Sequence, residues 1–198
     1  MRHLKDKRIN YINCAPSLFY SFLDFLGKNK EMSFLSSLHL LMLGGEKFDL
    51  FRIKHWIESS FFNADFINSY GPTECTDVVS SYRLYNDQIK KFILESQLLN
   101  QEPKIFPMGL AIPNVILTVV DPYLRMLPPY HIGELLIAGV CVGNGYIHQK
   151  EDSSFIESPY GKGQAYRTGD FVYQDSYGLF HYVGRIDQQV KLHGIRVE

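Results

Sequence analysis

The chain has 198 residues, of which 45% are hydrophobic and 21% are charged. This composition is typical of a folded globular protein, and the length suffices for one sizeable domain or two small ones. The 20 basic and 21 acidic residues leave a net charge of -1, so we expect neither nucleic acid nor a membrane surface as a partner.

Cysteine content and hydropathy allow a prediction of the cellular compartment. Cys14, Cys75 and Cys141 lie far apart and form no C-x-x-C pair, which argues against a disulfide scaffold and against a zinc site. No apolar run approaches the roughly 18 residues of a membrane span, and residues 1–8 lack the apolar region of a signal peptide. We therefore expect a cytoplasmic protein.

Residues 1–75 alternate between strand-like and helix-like patterns, which predicts a parallel sheet. The predicted elements are strands over 8–14, 38–43 and 64–68 and helices over 16–26 and 49–59. Each predicted strand ends in polar or glycine residues: Asn13, Gly44-Gly45 and Asn68-Ser69. Because ligands of open α/β sheets bind beyond the carboxyl ends of the strands, we expect these three loops to line one crevice.

The second half of the sequence has a different pattern. Residues 86–107 are polar and irregular, which indicates a connection between subdomains that contains a helical piece at 87–97. Short strands at close spacing follow, as is typical of a small antiparallel barrel or sheet. The candidates are 115–121, 133–139, 170–174, 178–183 and 188–192. The predicted fold class is α/β plus β: a partial parallel α/β sheet over 1–85, the connection over 86–107, and a β-barrel-like subdomain over 108–185.

The stretch from Phe66 to Glu74 carries the first candidate for chemistry. Its apolar beginning predicts a strand, and Gly71-Pro72 then marks a sharp turn. Just past the turn, Thr73 can hydrogen-bond a phosphate oxygen and Glu74 can hold Mg²⁺, which prefers oxygen ligands. The alternative is a structural turn in which Thr73 caps a helix, and these residues alone do not decide between the two.

Three other segments each have a functional and a structural interpretation. Gly44-Gly45-Glu46 suits either close backbone approach to a flat ligand ring or a tight strand-to-helix turn. Asp170, after the turn at Gly169, can accept hydrogen bonds from two ribose hydroxyls or from turn amides. The charged segment 184–198 is either a solvated edge strand or a segment that contacts polyphosphate or sugar. The glycines of 139–146 match no phosphate loop and predict only a turn between strands.

The order and spacing of five segments resemble the adenylate-forming enzymes, and most closely the adenylation domains of nonribosomal peptide synthetases. The segments are Gly44-Gly45-Glu46, Asn68–Glu74, Gly133–Gly139, Tyr166–Asp170 and Gly184–Lys191. Such an enzyme of secondary metabolism joins a carboxylate substrate, usually an amino acid, to the α-phosphate of ATP, which gives an acyl-adenylate and pyrophosphate. It then transfers the acyl group to the phosphopantetheine thiol of a peptidyl carrier protein.

The resemblance implies a role for each nucleotide-site residue. Glu74 would bind Mg²⁺, Thr73 the phosphate and Asp170 the ribose hydroxyls, and Arg185 would contact the nucleotide. The remaining nucleotide-binding residues would be Gly44, Gly45, Tyr70 and Gly71, with Gly44, Gly45 and Tyr70 lining the adenine pocket.

The resemblance also implies a substrate pocket and a hinge. The pocket residues would be Asn13, Met42, Gly44, Ser69, Asp77 and Val78. Asn13 and Asp77 suggest at least one polar group on the substrate. Asp187 would be the hinge, at the start of a mobile C-terminal domain that begins within 186–198.

Two alternatives remain open. An acyl-CoA ligase of the same superfamily is one, although Asp187-Gln-Gln-Val-Lys191 favours the peptide-synthetase side. The other is a non-catalytic nucleotide-binding or interaction fragment. The family's phosphate loop and amine-binding aspartate would lie upstream of Met1, and its catalytic lysine beyond Glu198, so Lys191 is not that lysine. We therefore expect one part of an adenylation domain, inactive alone and partnered by neighbouring synthetase domains.

Overall fold

The computed structural model describes residues 8–99, 106–147, 153–186, 190–192 and 195–197. These residues belong to two compact units. The first unit is drawn from Met1–Asn68, Arg83–Phe106 and Lys191–Ile195, and the second from Ser69–Tyr82, Pro107–Val190 and Arg196–Glu198.

The first unit contains most of the helical structure. Its elements are β1 (Tyr11–Cys14), α1 (Pro16–Lys28), a 3₁₀ turn (Met32–Leu35), β2 (Leu40–Gly44), a second 3₁₀ turn (Leu50–Ile53), α2 (Lys54–Ile57) and α3 (Asn86–Leu99). Strands β3 (Asp65–Tyr70) and β4 (Ser80–Leu84) each continue from one unit into the other. Among the described residues, no helix is both long and apolar enough to cross a membrane.

Strands β1 and β2 pair in parallel, with Tyr11 opposite Leu40 and Cys14 opposite Leu43. This confirms the parallel pairing that the alternating pattern predicts. Together with β5 (Leu110–Ala111), the first strands form a five-stranded sheet of order β1-β2-β3-β4-β5, in which β4 and β5 are antiparallel. The sheet is therefore mixed rather than wholly parallel.

An aromatic cluster forms the core of the first unit. Trp56 is fully buried, and its ring centroid lies 5.5 Å from that of Phe19, 5.0 Å from that of Phe62 and 5.9 Å from that of Phe66. The helix predicted over 49–59 is instead a 3₁₀ turn followed by the single turn of α2. It ends early because the Ser59 hydroxyl donates to the Trp56 carbonyl at 2.7 Å, and this local bond competes with the helical pattern.

The second unit is built from antiparallel strands. Its main sheet contains β6 (Val115–Val120), β7 (Gly133–Gly139), β8 (Phe155–Glu157), β9 (Gln164–Gln174) and β10 (Phe180–Arg185). The order is β10-β9-β7-β6, and β8 also pairs with β9. Strands β11 (Val190–Leu192) and β12 (Ile195–Val197), which contain residues of both units, form a separate two-stranded sheet. A mixed α/β sheet followed by an antiparallel sheet confirms the predicted fold class.

Strand β7 is the centre of this second unit because it is buried over Gly133–Ala138. Leu135 and Ile137 belong to one apolar cluster, whereas Leu136 and Ala138 belong to another. Since successive side chains point to opposite faces of a strand, β7 is covered on both faces. The strand therefore fixes β9, its neighbour, and β9 carries Asp170.

The N-terminus of helix α1 is capped by Glu46, a residue that lies outside the helix. Ala15, at the N-cap position, provides no side-chain hydrogen bond. Instead, the Glu46 carboxylate accepts from both the backbone N–H and the hydroxyl of Ser17, each at 3.0 Å. A carboxylate at this end satisfies an unpaired helix donor and interacts favourably with the helix dipole. Glu46 of the Gly44-Gly45-Glu46 segment thus has a structural role.

Glu46→Ala is expected to lower the free energy of unfolding by about 1–2 kcal/mol, since helix α1 would lose its cap. Urea denaturation followed by the fluorescence of Trp56, the single tryptophan, measures the change. Glu95→Ala is the matched control, because the Glu95–Lys91 pair is exposed with its charged atoms 3.7 Å apart and should contribute about 0.5 kcal/mol or less. Equal losses in the two variants would contradict the capping role.

Candidate functional site

Asp170 is a carboxylate on β9 that is 7% exposed. The Tyr70 hydroxyl donates to its Oδ2 atom, and Arg185 Nη1 donates to its Oδ1 atom at 2.9 Å. Arg185 Nη1 also donates to the Thr168 carbonyl at 3.1 Å, and the backbone N–H of Asp170 donates to the Thr168 hydroxyl at 3.0 Å. The structure therefore brings together three predicted nucleotide-site residues, Tyr70, Asp170 and Arg185.

Tyr70 acts as a hydrogen-bond donor in this cluster. Burial raises the pKa of the Tyr70 hydroxyl well above its ordinary range, and the neighbouring Asp170 carboxylate raises it further. Both effects disfavour the phenolate. The hydroxyl consequently keeps its proton and orients the Asp170 carboxylate.

The turn at Gly71-Pro72 is closed by tight backbone packing. A Cβ atom on Gly71 would lie 1.6 Å from the Asp77 carbonyl oxygen, so only glycine fits. Thr76 and Asp77 have φ values of 57° and 74°, the left-handed region that side chains rarely adopt. The Val79 N–H donates to the Tyr70 carbonyl at 2.9 Å and closes the loop.

Thr73 and Glu74 lie on a 3₁₀ turn (Thr73–Cys75) within this loop. Thr73 is exposed and is the first residue of the turn rather than its cap; no side-chain hydrogen bond caps the turn. The alternative in which Thr73 caps a helix therefore has no counterpart in the structure. The Thr73 hydroxyl lies at the surface, where a ligand can reach it.

The segment from Gly139 to Tyr146 holds Glu74. The Tyr146 hydroxyl donates to Glu74 Oε1, and the Gly143 N–H donates to the Glu74 carbonyl at 2.8 Å. Thr76, two residues after Glu74, also contacts this segment, because its hydroxyl donates to the Cys141 carbonyl at 2.9 Å. A segment that the sequence predicts only as a turn between strands thus positions the candidate metal ligand.

The donor set fits Mg²⁺ only if a ligand shares the ion. Among the residues the structure describes, no group of three His, Cys, Asp or Glu side chains could hold a metal. Mg²⁺ is commonly held by one or two carboxylates together with substrate phosphates. Glu74 suits that shared mode of binding.

The residues predicted for the substrate pocket lie in both units. In the first unit, Asn13 and Met42 are directly opposite each other on β1 and β2, and Gly44 ends β2. Gly45 has a φ of +80° with open space at its Cβ position. In the second unit, Ser69 lies on β3, and Asp77 and Val78 follow the Thr73–Cys75 turn. Asp187, the predicted hinge, lies outside the described residues.

Sequence reasoning missed three residues that support the site: Tyr146, Thr168 and Glu134. Glu134 is 7% exposed and accepts from Gly169 N at 3.1 Å. The available signal was a carboxylate inside the otherwise apolar run Gly133–Gly139, because buried carboxylates are rare unless they are paired.

Residues 1–147 match the protein family described as AMP-binding enzyme. The chain belongs to this family. Surfactin synthase subunit 2 of Bacillus subtilis (strain 168) is 33% identical over 202 residues, which cover 99% of this chain and 5% of that protein. Tyrocidine synthase 3 of Brevibacillus parabrevis is 34% identical over 200 residues, or 100% of this chain and 3% of that protein. The chain therefore spans a small part of the length of these curated relatives.

Solved structures agree with the family assignment. Holo-PA1221, an NRPS protein containing adenylation and PCP domains bound to a vinylsulfonamide inhibitor, superposes with a TM-score of 0.79 and 26% identity. The match covers 98% of this chain and 32% of that chain. NpsA-ThdA, an artificially fused adenylation-PCP di-domain from Klebsiella oxytoca, has the same fold with a TM-score of 0.76, at 24% identity over 99% of this chain and 34% of that chain. These findings confirm the resemblance to part of a peptide-synthetase adenylation domain.

Gly71→Ala is expected to lower the free energy of unfolding by about 1–3 kcal/mol, since the new methyl group would collide with backbone rather than with a flexible side chain. Faster amide exchange at Val79, which closes the loop, would localise the damage. Gly184→Ala is the control, because a Cβ atom there meets nothing within 4 Å. If the two variants proved equally stable, the proposed crowding at Asp77 would be wrong.

Tyr70→Phe is expected to weaken the dependence of stability on alkaline pH. Because the folded state raises the pKa of Tyr70, the stabilisation by its hydroxyl is fully present below about pH 10 and is lost as the pH rises further. The free energy of unfolding should therefore fall less steeply in Tyr70→Phe than in wild type between about pH 9 and pH 11. Tyr177→Phe, at a side chain 85% exposed, should retain the wild-type slope.

Proposed function

We propose that the chain supplies the ribose- and metal-binding part of an amino-acid-activating adenylation domain. In that reaction a carboxylate oxygen of the substrate attacks the α-phosphorus of ATP, and the bond to the bridging oxygen of the β-phosphate breaks. The products are an acyl-adenylate and pyrophosphate. The observation that carries the proposal is the buried Asp170 carboxylate, held by Tyr70 and Arg185.

Asp170 would accept hydrogen bonds from the two vicinal hydroxyls of the ribose. Tyr70 fixes the orientation of the carboxylate, and Arg185 balances its charge at 2.9 Å. A charged acceptor forms stronger hydrogen bonds than a neutral one. The ribose of the nucleotide would thus be bound at Asp170, and other residues would bind its phosphates.

Thr73 and Glu74 would act at the phosphates. The exposed Thr73 hydroxyl would donate to a phosphate oxygen, and the Glu74 carboxylate, oriented by Tyr146, would hold Mg²⁺. When bound, Mg²⁺ neutralises phosphate charge. The contribution of the chain is positioning and charge compensation, which account for most of the catalysis in phosphoryl transfer.

The substrate pocket is proposed on the resemblance and on the placement of its residues within each unit. Asn13, Met42 and Gly44 lie together at the ends of paired strands in the first unit. In the second unit, Ser69 is buried on β3, and Asp77 and Val78 are held in the closed loop. An amino acid or another carboxylate would be the substrate, and Gly45 and Tyr70 would contact adenine.

The partners would be a peptidyl carrier protein and neighbouring synthetase domains. The relatives are synthetases many times longer than this chain, and holo-PA1221 contains both adenylation and PCP domains. We propose that the acyl group passes to the phosphopantetheine thiol of such a carrier. Complete turnover is proposed for the whole protein, and weak nucleotide binding for these 198 residues.

Calorimetric titration of the chain with ATP, with and without Mg²⁺, tests this proposal. Asp170→Asn is expected to weaken ATP binding roughly tenfold to a hundredfold in both conditions, because hydrogen bonds to a charged group are lost. Glu74→Gln is expected to remove only the additional affinity that Mg²⁺ provides. The two variants therefore separate the sugar-binding role from the metal-binding role.

Asp175→Asn is the matched control for Asp170→Asn. Asp175 also belongs to the second unit, where it lies in the turn between β9 and β10, accepts from the N–H groups of Tyr177 and Leu179 and pairs with His181. It lies outside the Asp170 cluster, so the affinity for ATP should be unchanged in Asp175→Asn. Wild-type affinity in Asp170→Asn, or equal losses in both variants, would refute the proposed ribose site.

A further inference from the structure

Glu134 is a buried carboxylate in the strand next to Asp170. Its Oε2 atom accepts from Arg167 Nε at 3.1 Å and from Arg167 Nη2 at 2.6 Å, while its Oε1 atom accepts from Gly169 N at 3.1 Å. Burial of a charge is costly unless it is paired and hydrogen-bonded. Here both oxygens have partners, and both partners come from the stretch of β9 that precedes Asp170.

That stretch of β9 is a bulge. Glu134 pairs with Phe171, whereas Leu136, two residues further along β7, pairs with Arg167. Thr168, Gly169 and Asp170 on β9 therefore lie opposite the single residue Leu135. Bulges of this kind bend a strand and redirect its side chains.

Side-chain hydrogen bonds replace the interrupted ladder at the bulge. The Thr168 hydroxyl donates to the Leu135 carbonyl at 2.8 Å, and the Asp170 N–H donates to the Thr168 hydroxyl at 3.0 Å. Gly169 has a φ of +69°, a conformation that glycine adopts at little cost. Its N–H is satisfied by Glu134, so Glu134 fixes the residue on which the conformation of the bulge depends.

We infer that Glu134 is the positioning residue for Asp170, and that recognition of the ribose hydroxyls depends on it although it does not touch the nucleotide. This inference rests on the proposed function of Asp170. Glu134 holds Gly169, Gly169 sets the path of β9, and that path places Asp170 against Tyr70 and Arg185. Arg185 donates to both Thr168 and Asp170, so it also depends on the bulge.

Glu134→Gln keeps the shape of the side chain and removes its charge. An amide has one acceptor oxygen, so it cannot accept from both Arg167 and Gly169 in the way the carboxylate does, and its NH₂ group would face one of these donors. Glu134→Asp keeps the charge but shortens the side chain. Glu134→Gln therefore tests whether the charge is required, and Glu134→Asp tests whether the length of the side chain is required.

Amide hydrogen exchange of the ligand-free chain gives the first test. In Glu134→Gln, exchange at Gly169 and Asp170 is expected to accelerate roughly tenfold to a hundredfold relative to the buried core residue Val172, since a charge-assisted hydrogen bond is lost. Asp175→Asn, which removes hydrogen bonds elsewhere in the second unit, should leave this ratio unchanged. An unchanged ratio in Glu134→Gln as well would overturn the inference.

Ribose discrimination gives the second test. The ratio of the dissociation constants for AMP and for 2′,3′-dideoxy-AMP is measured by calorimetry in wild type, Glu134→Gln, Glu134→Asp and Asp175→Asn. The wild-type and Asp175→Asn chains are expected to prefer AMP, and Glu134→Gln is expected to lose most of that preference. A purely structural role would lower stability while leaving the ratio intact, and that result would refute positioning.

The two tests separate the inference from the function on which it rests. If the wild-type chain shows no preference for AMP over the dideoxy analogue, the ribose-binding role of Asp170 is wrong, and the role of Glu134 in ribose recognition is wrong with it. If wild type shows the preference and Glu134→Gln retains it, the proposed function stands and only the inference is overturned.

Discussion

The buried charge of Asp170 is the constraint on which the organisation of the second unit depends. Removing a carboxylate from water costs several kcal/mol unless nearby groups compensate. The compensating groups come from distant positions: Arg185 lies 15 residues along the chain and Tyr70 lies 100 residues back. Folding must therefore bring β9, β10 and the end of β3 together before this charge is tolerated, so the site and the tertiary structure form together.

A second pair joins the buried carboxylate of Glu134 to the partly exposed Arg167 of β9. Arg167 and Arg185 each neutralise one carboxylate, so the bulge between them is held by hydrogen bonds at both ends. Apolar packing on both faces of β7 gives this arrangement a rigid support. Residues on strands that are packed against such a support are held more precisely than residues on an exposed loop.

Local patterns predict the elements better than the site. The apolar spacing in α1 and the runs in β1 and β2 are local, and the structure confirms these elements within a few residues. The sequence predicts none of the strands β4, β5, β8 and β12, each of which has five residues or fewer. Only the resemblance assigns Asp170 to ribose, since the local sequence suits hydrogen bonds from turn amides equally well. Tyr146 and Glu134 were missed because their partners lie 72 and 33 residues away, and no local spacing records such pairs.

The loop after the Thr73–Cys75 turn changes how Asp77 should be interpreted. Two consecutive left-handed residues are costly, particularly at β-branched Thr76, and the loop is held between Cys75 and Val79, both fully buried. Aspartate is one of the few residues that tolerates a left-handed backbone, and the absence of a side chain at Gly71 leaves room for the Asp77 carbonyl. The backbone alone therefore accounts for an aspartate here. Its presence does not require a polar substrate, so Asn13 remains the stronger argument for polarity in the pocket.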